Sequence, residues 1–538
     1  MRFPARLFAC AALLLVASAF HAPSDRASES ETKTSRVFAD RQHQGPPALR
    51  AFLVNFPKGA DLHVHLSGAI YAETFIRDAA EDKVCIDPVK LEFARDNKHQ
   101  VMKEPCPAPL LPASQLSGNV TSANQDLYDK LVDAFSLRSF VPIPSLSGHD
   151  QFFSTFDRFG GLNHSHMGEW VDEVASRSAA QNQQYLELMH TPAFGHAATI
   201  AHQIGFNPDL PAMRQKLLDH GLFDEVAADR TEVRTGEAQR REIEHCDTPQ
   251  ATPACQVEIR YIYQVLRGFA PEQVFAQTLL GFETIKQSMD AHEPGFVGIN
   301  FVQPEDGYVS MHDYTLQMHM LDYLHSLYPQ VNISLHAGEL ALGLVPPEGL
   351  RFHIRQAVDL GHAQRIGHGV DVMDEDDAPS LLKQLADKHV MVEINLSSNE
   401  GILGIKGHDH PFPIYRINHV PVALSTDDEG VSRIDITHEY VRAAIDYNLT
   451  YQDIKQLART GMEHNFLPGP SLWDSQDVFT KTVPACQSDP LGVEKPSSSC
   501  QAYLDKSEKA AAQWEQERRI RIFESSKLGG ESEVQHIK

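Results

Sequence analysis

Two histidines, His63 and His65, alternate at the end of an apolar run in the stretch GADLHVHLSGAI, residues 59–70. In a β-strand the residues i and i+2 point to the same side, so the two imidazoles would be aimed at one point. The imidazole ring is a common metal ligand, but two histidines on a strand also occur without any metal. The pair alone predicts either half of a metal site or two ordinary strand histidines.

Three later motifs place further reactive groups after apolar runs. SLHAGE contains His336 and Glu339, RIGHG contains His368, and LSTDDEG contains the adjacent pair Asp427 and Asp428. Taken singly, a histidine at the end of a strand can cap a loop, and an Asp pair usually marks a turn or a helix start. These ordinary interpretations do not explain why the groups would share one rim of the fold.

A metal site explains the set. His63, His65, His336 and Asp427 would supply the nitrogen and carboxylate ligands that zinc prefers, with one position left for water. Bound zinc lowers the pKa of water to roughly 7 and makes hydroxide available at neutral pH.

The remaining groups suit the other roles in such a site. His368 suits the base that accepts the proton from water, and Glu339 suits a proton donor if its pKa is raised. Asp428 is then left to hold the substrate.

The motifs lie on alternating strand and helix patterns. The strand-like runs are GADLHVHLSG, QYLELMHTP, VEIRYIYQVLRG, GFVGINFVQPED, VNISLHAGE, RIGHGVDV, VMVEINLSSNEG and VPVALSTDDEG. Strands that alternate with helices imply parallel pairing, and eight such units indicate an α/β fold of the (β/α)8 TIM-barrel type. In that fold, reactive groups gather at the carboxyl ends of the strands.

The sequence resembles the adenosine deaminase family of zinc aminohydrolases. HVHLSGA, SLHAGE, RIGHG, SSNEG and STDDEG occur in that family's order and approximate spacing, over roughly residues 55–465. The resemblance implies a barrel with one zinc ion (Zn²⁺) per chain, whose ligands correspond to His63, His65, His336 and Asp427.

The reaction implied by the resemblance is hydrolytic deamination of adenosine or 2'-deoxyadenosine to inosine or 2'-deoxyinosine and ammonia. Zinc-bound hydroxide would attack purine C6, while Glu339 protonates N1 and His368 takes the proton from water. The family's carboxylate that hydrogen-bonds purine N7 corresponds to Asp428. The expected partner is therefore a small-molecule purine nucleoside.

Two departures from the family pattern concern substrate binding. Ser67 stands where many members have an Asp that serves the ribose, and Gln303 stands where the family usually has a Gly whose N–H serves purine N3. Neither change touches the zinc ligands or the chemistry at C6. Both leave open a deaminase of a related 6-aminopurine.

Other functions are also compatible with parts of the sequence. A catalytically silent extracellular binding or growth-factor protein on the same scaffold stays open, although the complete set of ligands, donor and base argues against it. FVGINFVQPE lacks the Lys of dinuclear amidohydrolases, and the P-C-x-x-C of cytidine-type deaminases is absent. Glu393 is a candidate partner for a metal ligand or an ordinary core carboxylate, and we assign no metal to the further H-x-H pairs His164/His166 and His408/His410.

The amino-terminal residues predict export. MRFPAR, a short apolar core and Ala17-Ser18-Ala19 indicate a signal peptide over residues 1–19, followed by a flexible polar leader over 20–48. We expect a periplasmic or extracellular protein with no membrane segment in its mature form. The net charge of −25 also disfavours nucleic acid as a partner.

Six cysteines remain after Cys10 and form three close sequential pairs. Local disulfides are the simplest arrangement in an exported chain, and free thiols are the alternative. The candidates are Cys85, Cys106, Cys246, Cys255, Cys486 and Cys500. We expect the barrel over 49–467 with insertions near 83–125 and 205–255, then a Cys-bearing loop and a C-terminal helix over 468–538.

The first Cys-bearing insertion adds a weaker resemblance, to the secreted adenosine deaminase-related growth factors. That branch has an added segment at this place and tends to dimerise, so the resemblance admits a homodimer. We interpret the C-terminal helix as a surface helix or a dimer contact.

Overall fold

Eight parallel strands form one sheet at the centre of this computed structural model, which describes residues 28–118 and 120–526 without the side chains of 163–165. The strands follow one another in chain order around the sheet. They are β1 (Gly59–His65), β2 (Gln183–His190), β3 (Glu258–Leu266), β4 (Phe296–Val302), β5 (Asn332–Ala337), β6 (Arg365–His368), β7 (Met391–Ile394) and β8 (Val422–Leu424).

The sheet closes between β8 and β1. The backbone N–H of Asp427 donates to the carbonyl of His63 at 2.8 Å, and the N–H of His65 donates to the carbonyl of Asp427 at 3.1 Å. The predicted (β/α)8 barrel is therefore confirmed, and each of the eight strand-like runs contains one barrel strand. Several strands, such as β2 and β4, are buried along their whole length, which explains their continuous apolar runs.

Helices connect the strands and cover the outside of the barrel, as right-handed parallel crossovers require. The α-helices of the described residues are α1 (Glu29–Gln44), α2 (Pro46–Leu53), α3 (Ala72–Glu81), α4 (Gln125–Ala134), α5 (Gly148–Phe159), α6 (Asn163–Ala180), α7 (Gly195–Ile204), α8 (Leu210–Asp219), α9 (Val226–Ile243), α10 (Pro271–Asp290), α11 (Tyr308–His312), α12 (Tyr314–Leu327), α13 (His353–Asp359), α14 (Ala378–Asp387), α15 (Leu396–Leu403), α16 (Phe412–Ile417), α17 (Glu429–Ser432), α18 (Ile436–Asp446), α19 (Tyr451–Glu463), α20 (Ser498–Leu504) and α21 (Glu508–Ser525). Short 3-10 segments are Ala113–Gln115, Leu222–Glu225, Pro253–Gln256, Pro347–Leu350 and Gly407–Asp409.

The expectation of a flexible leader over residues 20–48 is wrong for the part that the structure describes. Helix α1 occupies most of it, and the Ser28 side chain caps its first turn. Phe38 explains the order, because it is 1% exposed and packs against Phe52 and Tyr451, with ring centroids 5.9 and 6.1 Å away. The predicted signal peptide over residues 1–19 lies outside the described residues.

The first two insertions are closed by local disulfides. Cys85 bonds Cys106 in a segment that forms a small antiparallel sheet from Cys85–Asp87, Glu92–Phe93 and Leu111–Pro112. Cys246 bonds Cys255 after helix α9, in the insertion that also contains α8. The predicted local pairing is confirmed at both places.

The C-terminal extension is folded and packs against the amino-terminal end of the barrel. It contains a hairpin that sequence analysis did not predict (Trp473–Ser475 and Val478–Thr482), and Cys486 bonds Cys500. Helix α21 packs against the barrel. The Gln184 side chain, at the start of β2, donates to the Ala512 carbonyl of α21 at 2.8 Å. Its Trp514 and Phe523 are only 6% and 7% exposed, so α21 is mainly an intramolecular contact.

Within residues 28–118 and 120–526, every helix is too short or too polar to cross a bilayer.

Candidate active site

A cavity of about 610 Å³ opens at the carboxyl ends of the barrel strands. It collects the side chains that sequence analysis selected, because parallel strands bring their carboxyl ends to one rim. The predicted site residues that line it are His65, Ser67, Gln303, His336, Glu339, His368, Asp427 and Asp428. His63 lies directly behind them and is fully buried.

The four predicted metal ligands lie in contact with one another at the rim of the barrel. Nε2 of His65 lies 3.2 Å from Nε2 of His336 and 3.2 Å from Oδ1 of Asp427, and Nε2 of His63 lies 3.4 Å from that oxygen. Tetrahedral ligand atoms at about 2.1 Å from zinc stand roughly 3.4 Å from one another. The buried Nε2 of His63 has no hydrogen-bond partner among the described residues. The three distances have the spacing of ligand atoms around one metal ion. His63, His336 and Asp427 also form, with His368, a group whose ligand atoms all lie within 4.8 Å of one another, while His65 is grouped with Asp427 and Asp428.

The other ring nitrogens of the buried ligands are held by the protein. Nδ1 of His63 lies 2.6 Å from Oε2 of Glu393, and Nδ1 of His336 lies 2.8 Å from Oδ1 of Asn300. An acceptor at Nδ1 keeps the proton there and leaves Nε2 free as a ligand atom. Sequence analysis weighed Glu393 for this position but missed Asn300, which lies inside β4.

His65 is oriented by an amide. The Gln264 side chain contacts Nδ1 of His65, and the Thr191 hydroxyl contacts the far end of the same amide at 2.9 Å. A metal ligand at Nε2 requires the proton on Nδ1, so the oxygen of the Gln264 amide must face His65. Thr191 directly follows β2, and Gln264 lies two residues before the end of β3, and this position near strand ends is the signal that would have found them.

A buried guanidinium supports Glu393 from below. Arg365 Nε lies 2.7 Å from Oε1 of Glu393, and another Arg365 nitrogen lies 2.7 Å from Glu187. Burial by itself would raise the pKa of Glu393, but the charge of Arg365 and the hydrogen bond from His63 hold that pKa below its ordinary value. Glu393 therefore stays ionised and accepts the hydrogen bond from Nδ1 of His63.

The surroundings of Glu339 favour its protonated form. Burial, and then the charges of Asp427 and Glu305, raise the pKa of Glu339 well above its ordinary value. Glu305, which sequence analysis missed, fixes the surrounding loop by accepting the N–H of Gly338 at 3.0 Å and of Glu339 at 2.8 Å. Although burial opposes it, the hydrogen bond from His353 lowers the pKa of Glu305 to about 2.

Asp428 reaches the cavity because Gly68 has no side chain. A Cβ atom at Gly68 would stand 1.5 Å from Oδ1 of Asp428. Burial and the adjacent charge of Asp427 raise the pKa of Asp428. The neighbouring Asp427 is fixed by the Ser398 hydroxyl, which donates to its Oδ2 at 2.6 Å. Gly68 is thus a site residue that only the tertiary packing reveals.

Gln303 has the backbone conformation that usually requires glycine. Its φ of 86° lies in the left-handed region, which matches the family's preference for Gly at this place. The side chain turns back, and its Oε1 accepts the N–H of Gly268 at 2.8 Å. Gln303 and Ser67 both line the cavity, so the two departures lie where substrate would bind.

Helix α5 forms one wall of the cavity. Phe152, Phe153 and Phe156 present apolar rings to it. Nε2 of His149 lies 2.9 Å from Oδ1 of Asp306 and joins this wall to the loop after β4. The run HDQFFSTF carries these residues, but it precedes no strand, and sequence analysis did not connect it with the site.

His368 lies at the end of β6 beside the ligand cluster. Its Nδ1 contacts the Asn399 amide nitrogen at 2.9 Å, and its Nε2 lies 3.9 Å from Oδ2 of Asp427. Nδ1 is also 3.7 Å from the Glu339 carboxyl. Burial lowers the pKa of His368 to about 3, so the ring is neutral.

The chain is similar in sequence to known deaminases. Residues 241–474 match the family model described as adenosine deaminase. An adenosine deaminase of Clostridium perfringens strain 13 is 27% identical over 187 residues, which cover 34% of this chain and 51% of the relative. Another, from strain ATCC 13124, is 31% identical over 135 residues, which cover 25% of this chain and 37% of the relative. The chain thus spans about half or less of the curated relatives that it matches.

The chain also matches solved structures. The Arabidopsis N6-mAMP deaminase has 21% sequence identity and a TM-score of 0.49, and the match covers 78% of this chain and 96% of that one. The adenine deaminase of Arthrobacter aurescens has 16% identity and a TM-score of 0.48, covering 77% of this chain and 94% of that one.

Proposed function

We propose that this chain, which belongs to the adenosine deaminase family, hydrolytically removes the 6-amino group of adenosine or 2'-deoxyadenosine. One observation carries the proposal: three imidazoles and a carboxylate cluster beside a buried carboxyl of raised pKa, Glu339, in a cavity of about 610 Å³. Metal ligands and a proton donor are what the replacement of an amino group by water needs.

We infer that the metal is zinc, one ion per chain. His63, His65, His336 and Asp427 would hold it through three Nε2 atoms and one carboxylate oxygen, a donor set typical of zinc. When bound, zinc supplies a Lewis acid that lowers the pKa of a water molecule to roughly 7.

Glu339 is assigned as the proton donor to purine N1. Burial and the nearby carboxylates raise its pKa, which favours the protonated carboxyl, and the two backbone N–H bonds to Glu305 hold its loop. Transfer of that proton to N1 draws electrons from C6 and makes this carbon more electrophilic. Glu339 then acts only as the transition state forms.

His368 and Asp428 complete the assignment. Nε2 of His368 faces the ligand cluster, so this ring is placed to orient the attacking water. Asp428 lies at the cavity wall opposite Gly68 and is placed to bind the purine at N7. In both roles the residue places a charge or a hydrogen bond near the reacting C6 atom.

The cavity favours a nucleoside over a nucleotide. Among its lining residues in the described part of the chain there is no Lys or Arg, whereas Asp150 and Asp157 stand on helix α5 at its wall. A phosphate group would meet two carboxylates and no cation, which disfavours AMP electrostatically. The aromatic wall of α5 can cover the base and the sugar instead.

The test is ammonia release by the zinc-loaded full chain from adenosine, 2'-deoxyadenosine, adenine, methylthioadenosine and AMP. We expect turnover of the first two and little turnover of AMP. A preference for AMP would contradict the nucleoside assignment. If none of the five purines is deaminated while zinc is bound stoichiometrically, the catalytic proposal fails and a binding role on this scaffold becomes the better description.

We also propose that the mature protein is exported. Three disulfides, such as the Cys486–Cys500 bond, support an oxidising compartment. Fractionation of the source cells, with detection of the chain beginning after residue 19, would test it. Retention of residues 1–19 on a protein found inside the cell would contradict this proposal.

A further inference from the structure

His410 lies behind the candidate active site, in the loop before helix α16, and is only 2% exposed. It belongs to the H-x-H pair His408/His410, to which sequence analysis assigned no function. The structure separates the pair, because His408 is exposed to solvent and His410 is buried. Both ring nitrogens of His410 have hydrogen-bond partners, and one of these partners, Asn399, also contacts His368.

The partners of His410 determine where its proton is. The backbone N–H of Phe412 donates to Nδ1 of His410 at 3.1 Å. A backbone N–H can only donate, so Nδ1 carries no proton. Burial, and then the charge of Arg442, lowers the pKa of His410 to about 3, and the ring is neutral. Its single proton is therefore on Nε2, which donates to Oδ1 of Asn399 at 3.0 Å.

This bond fixes the orientation of the Asn399 amide. With its oxygen towards His410, the amide nitrogen of Asn399 faces Nδ1 of His368 at 2.9 Å and donates to it. The amide nitrogen of Asn395 approaches the same atom at 3.4 Å. Nδ1 of His368 is therefore an acceptor, and the proton of the neutral ring is on Nε2, the nitrogen nearest Asp427.

We propose that His410 is a positioning residue, which through Asn399 holds His368 as the tautomer protonated at Nε2. Its consequence for catalysis rests on the proposed function: the water releases its proton to solvent, and His368 donates a hydrogen bond to the attacking oxygen and stabilises its negative charge. This replaces the sequence-based assignment of His368 as the base that takes the proton from water, because the lone pair of its neutral ring lies on Nδ1.

The tautomer can be read without substrate. The zinc-loaded full chain is labelled with ¹⁵N-histidine, and the His368 signals are identified by their loss in His368→Gln. We expect an unprotonated Nδ1 and a protonated Nε2 in the ¹⁵N spectrum. A proton on Nδ1 of His368 would overturn the proposal. Because no purine is added, this result is independent of whether the chain deaminates adenosine.

Three variants separate the positioning role from a structural one. His410→Phe keeps an aromatic ring but removes both nitrogens, and it should mix the His368 tautomers and lower kcat about 10- to 100-fold. KM should stay within about twofold, with zinc content unchanged. His410→Gln retains an N–H near the Nε2 position and should restore the single tautomer and most of kcat. His408→Phe is the matched exposed control and should behave as the wild type.

Two results with these variants would contradict the His410–Asn399 relay to His368. If His410→Phe folds and shows the wild-type His368 spectrum, Asn399 does not depend on His410 and the proposal fails. If His410→Gln is no better than His410→Phe in spectrum and kcat, packing rather than the hydrogen bond is responsible, and the proposal fails as well.

Discussion

Nδ1 of His63 and Oε2 of Glu393 lie 2.6 Å apart, and neither side chain is exposed to solvent. The pair joins a candidate metal ligand to an ion pair in the barrel core, because Arg365 lies 2.7 Å from the other oxygen of Glu393. The His63 imidazole is thereby oriented before any metal arrives. Metal affinity should therefore depend on a residue that does not touch the metal.

Glu393→Gln should weaken zinc binding about 10- to 100-fold, because a neutral amide is a poorer acceptor for the His63 N–H. The measurement is competition for zinc against a chromophoric chelator. Glu400→Gln is the control, since the Glu400 side chain is 36% exposed and pairs with Lys406 and Arg442 rather than with a candidate metal ligand. Equal zinc affinity in Glu393→Gln and the wild type would contradict the orienting role.

Glu339→Gln should keep zinc and the fold but lower kcat about 100- to 10,000-fold, because only the proton donor to N1 is removed. Steady-state kinetics and elemental analysis on the same preparation test both parts. Glu348→Gln, on the exposed segment after the same strand, should leave kcat unchanged. A near-normal kcat in Glu339→Gln would remove this residue from the reaction.

Gly68→Ala should displace Asp428, because the new Cβ would stand 1.5 Å from its Oδ1. A displacement of about 1 Å at a substrate-binding group can lower kcat/KM about 100-fold. Gly195→Ala is the matched control, since a Cβ there meets nothing within 4 Å. Wild-type kcat/KM in Gly68→Ala would show that Asp428 is not held in place by this contact.

The stability of the barrel wall should depend on pH through Asp229. Burial, with Glu225 nearby, raises the pKa of Asp229 to about 8, while Tyr263 and Thr284 donate to its Oδ2. In the unfolded chain the pKa is about 3.9, so the folded state binds an extra proton between these values. The stabilisation of the folded state by this extra proton is fully present below about pH 4 and is lost as the pH rises through about 8.

The difference in unfolding free energy between the wild type and Asp229→Asn should thus fall with rising pH, by at most about 1.4 kcal/mol per pH unit. It should level off above pH 8. Urea unfolding of both proteins at several pH values between 5 and 9 measures it. Parallel stability curves for the two proteins would show that Asp229 is ionised in the folded state.

Local patterns predicted the barrel because each of its strands is a short apolar run ending in a polar residue. The runs before His65 and His336 are examples, and their burial on both faces is visible in the sequence as unbroken hydrophobicity. The same reasoning failed for helix α1, which is polar overall. Its order depends on Phe38, whose partners Phe52 and Tyr451 lie far along the chain.

The reactive set could be selected from the sequence alone, by side-chain type and by position at strand ends. It consists of His63, His65, His336, Glu339 and Asp427. The sequence also favoured three local disulfides, because the cysteines form pairs that are close along the chain, and the structure contains these three bonds. The residues that hold each reactive group become visible only in the folded chain. They are Glu393, Gln264, Gly68 and the His410–Asn399 relay. The physical reason is that proton positions and orientations follow from three-dimensional hydrogen bonds between distant segments, and one-dimensional spacing does not encode them.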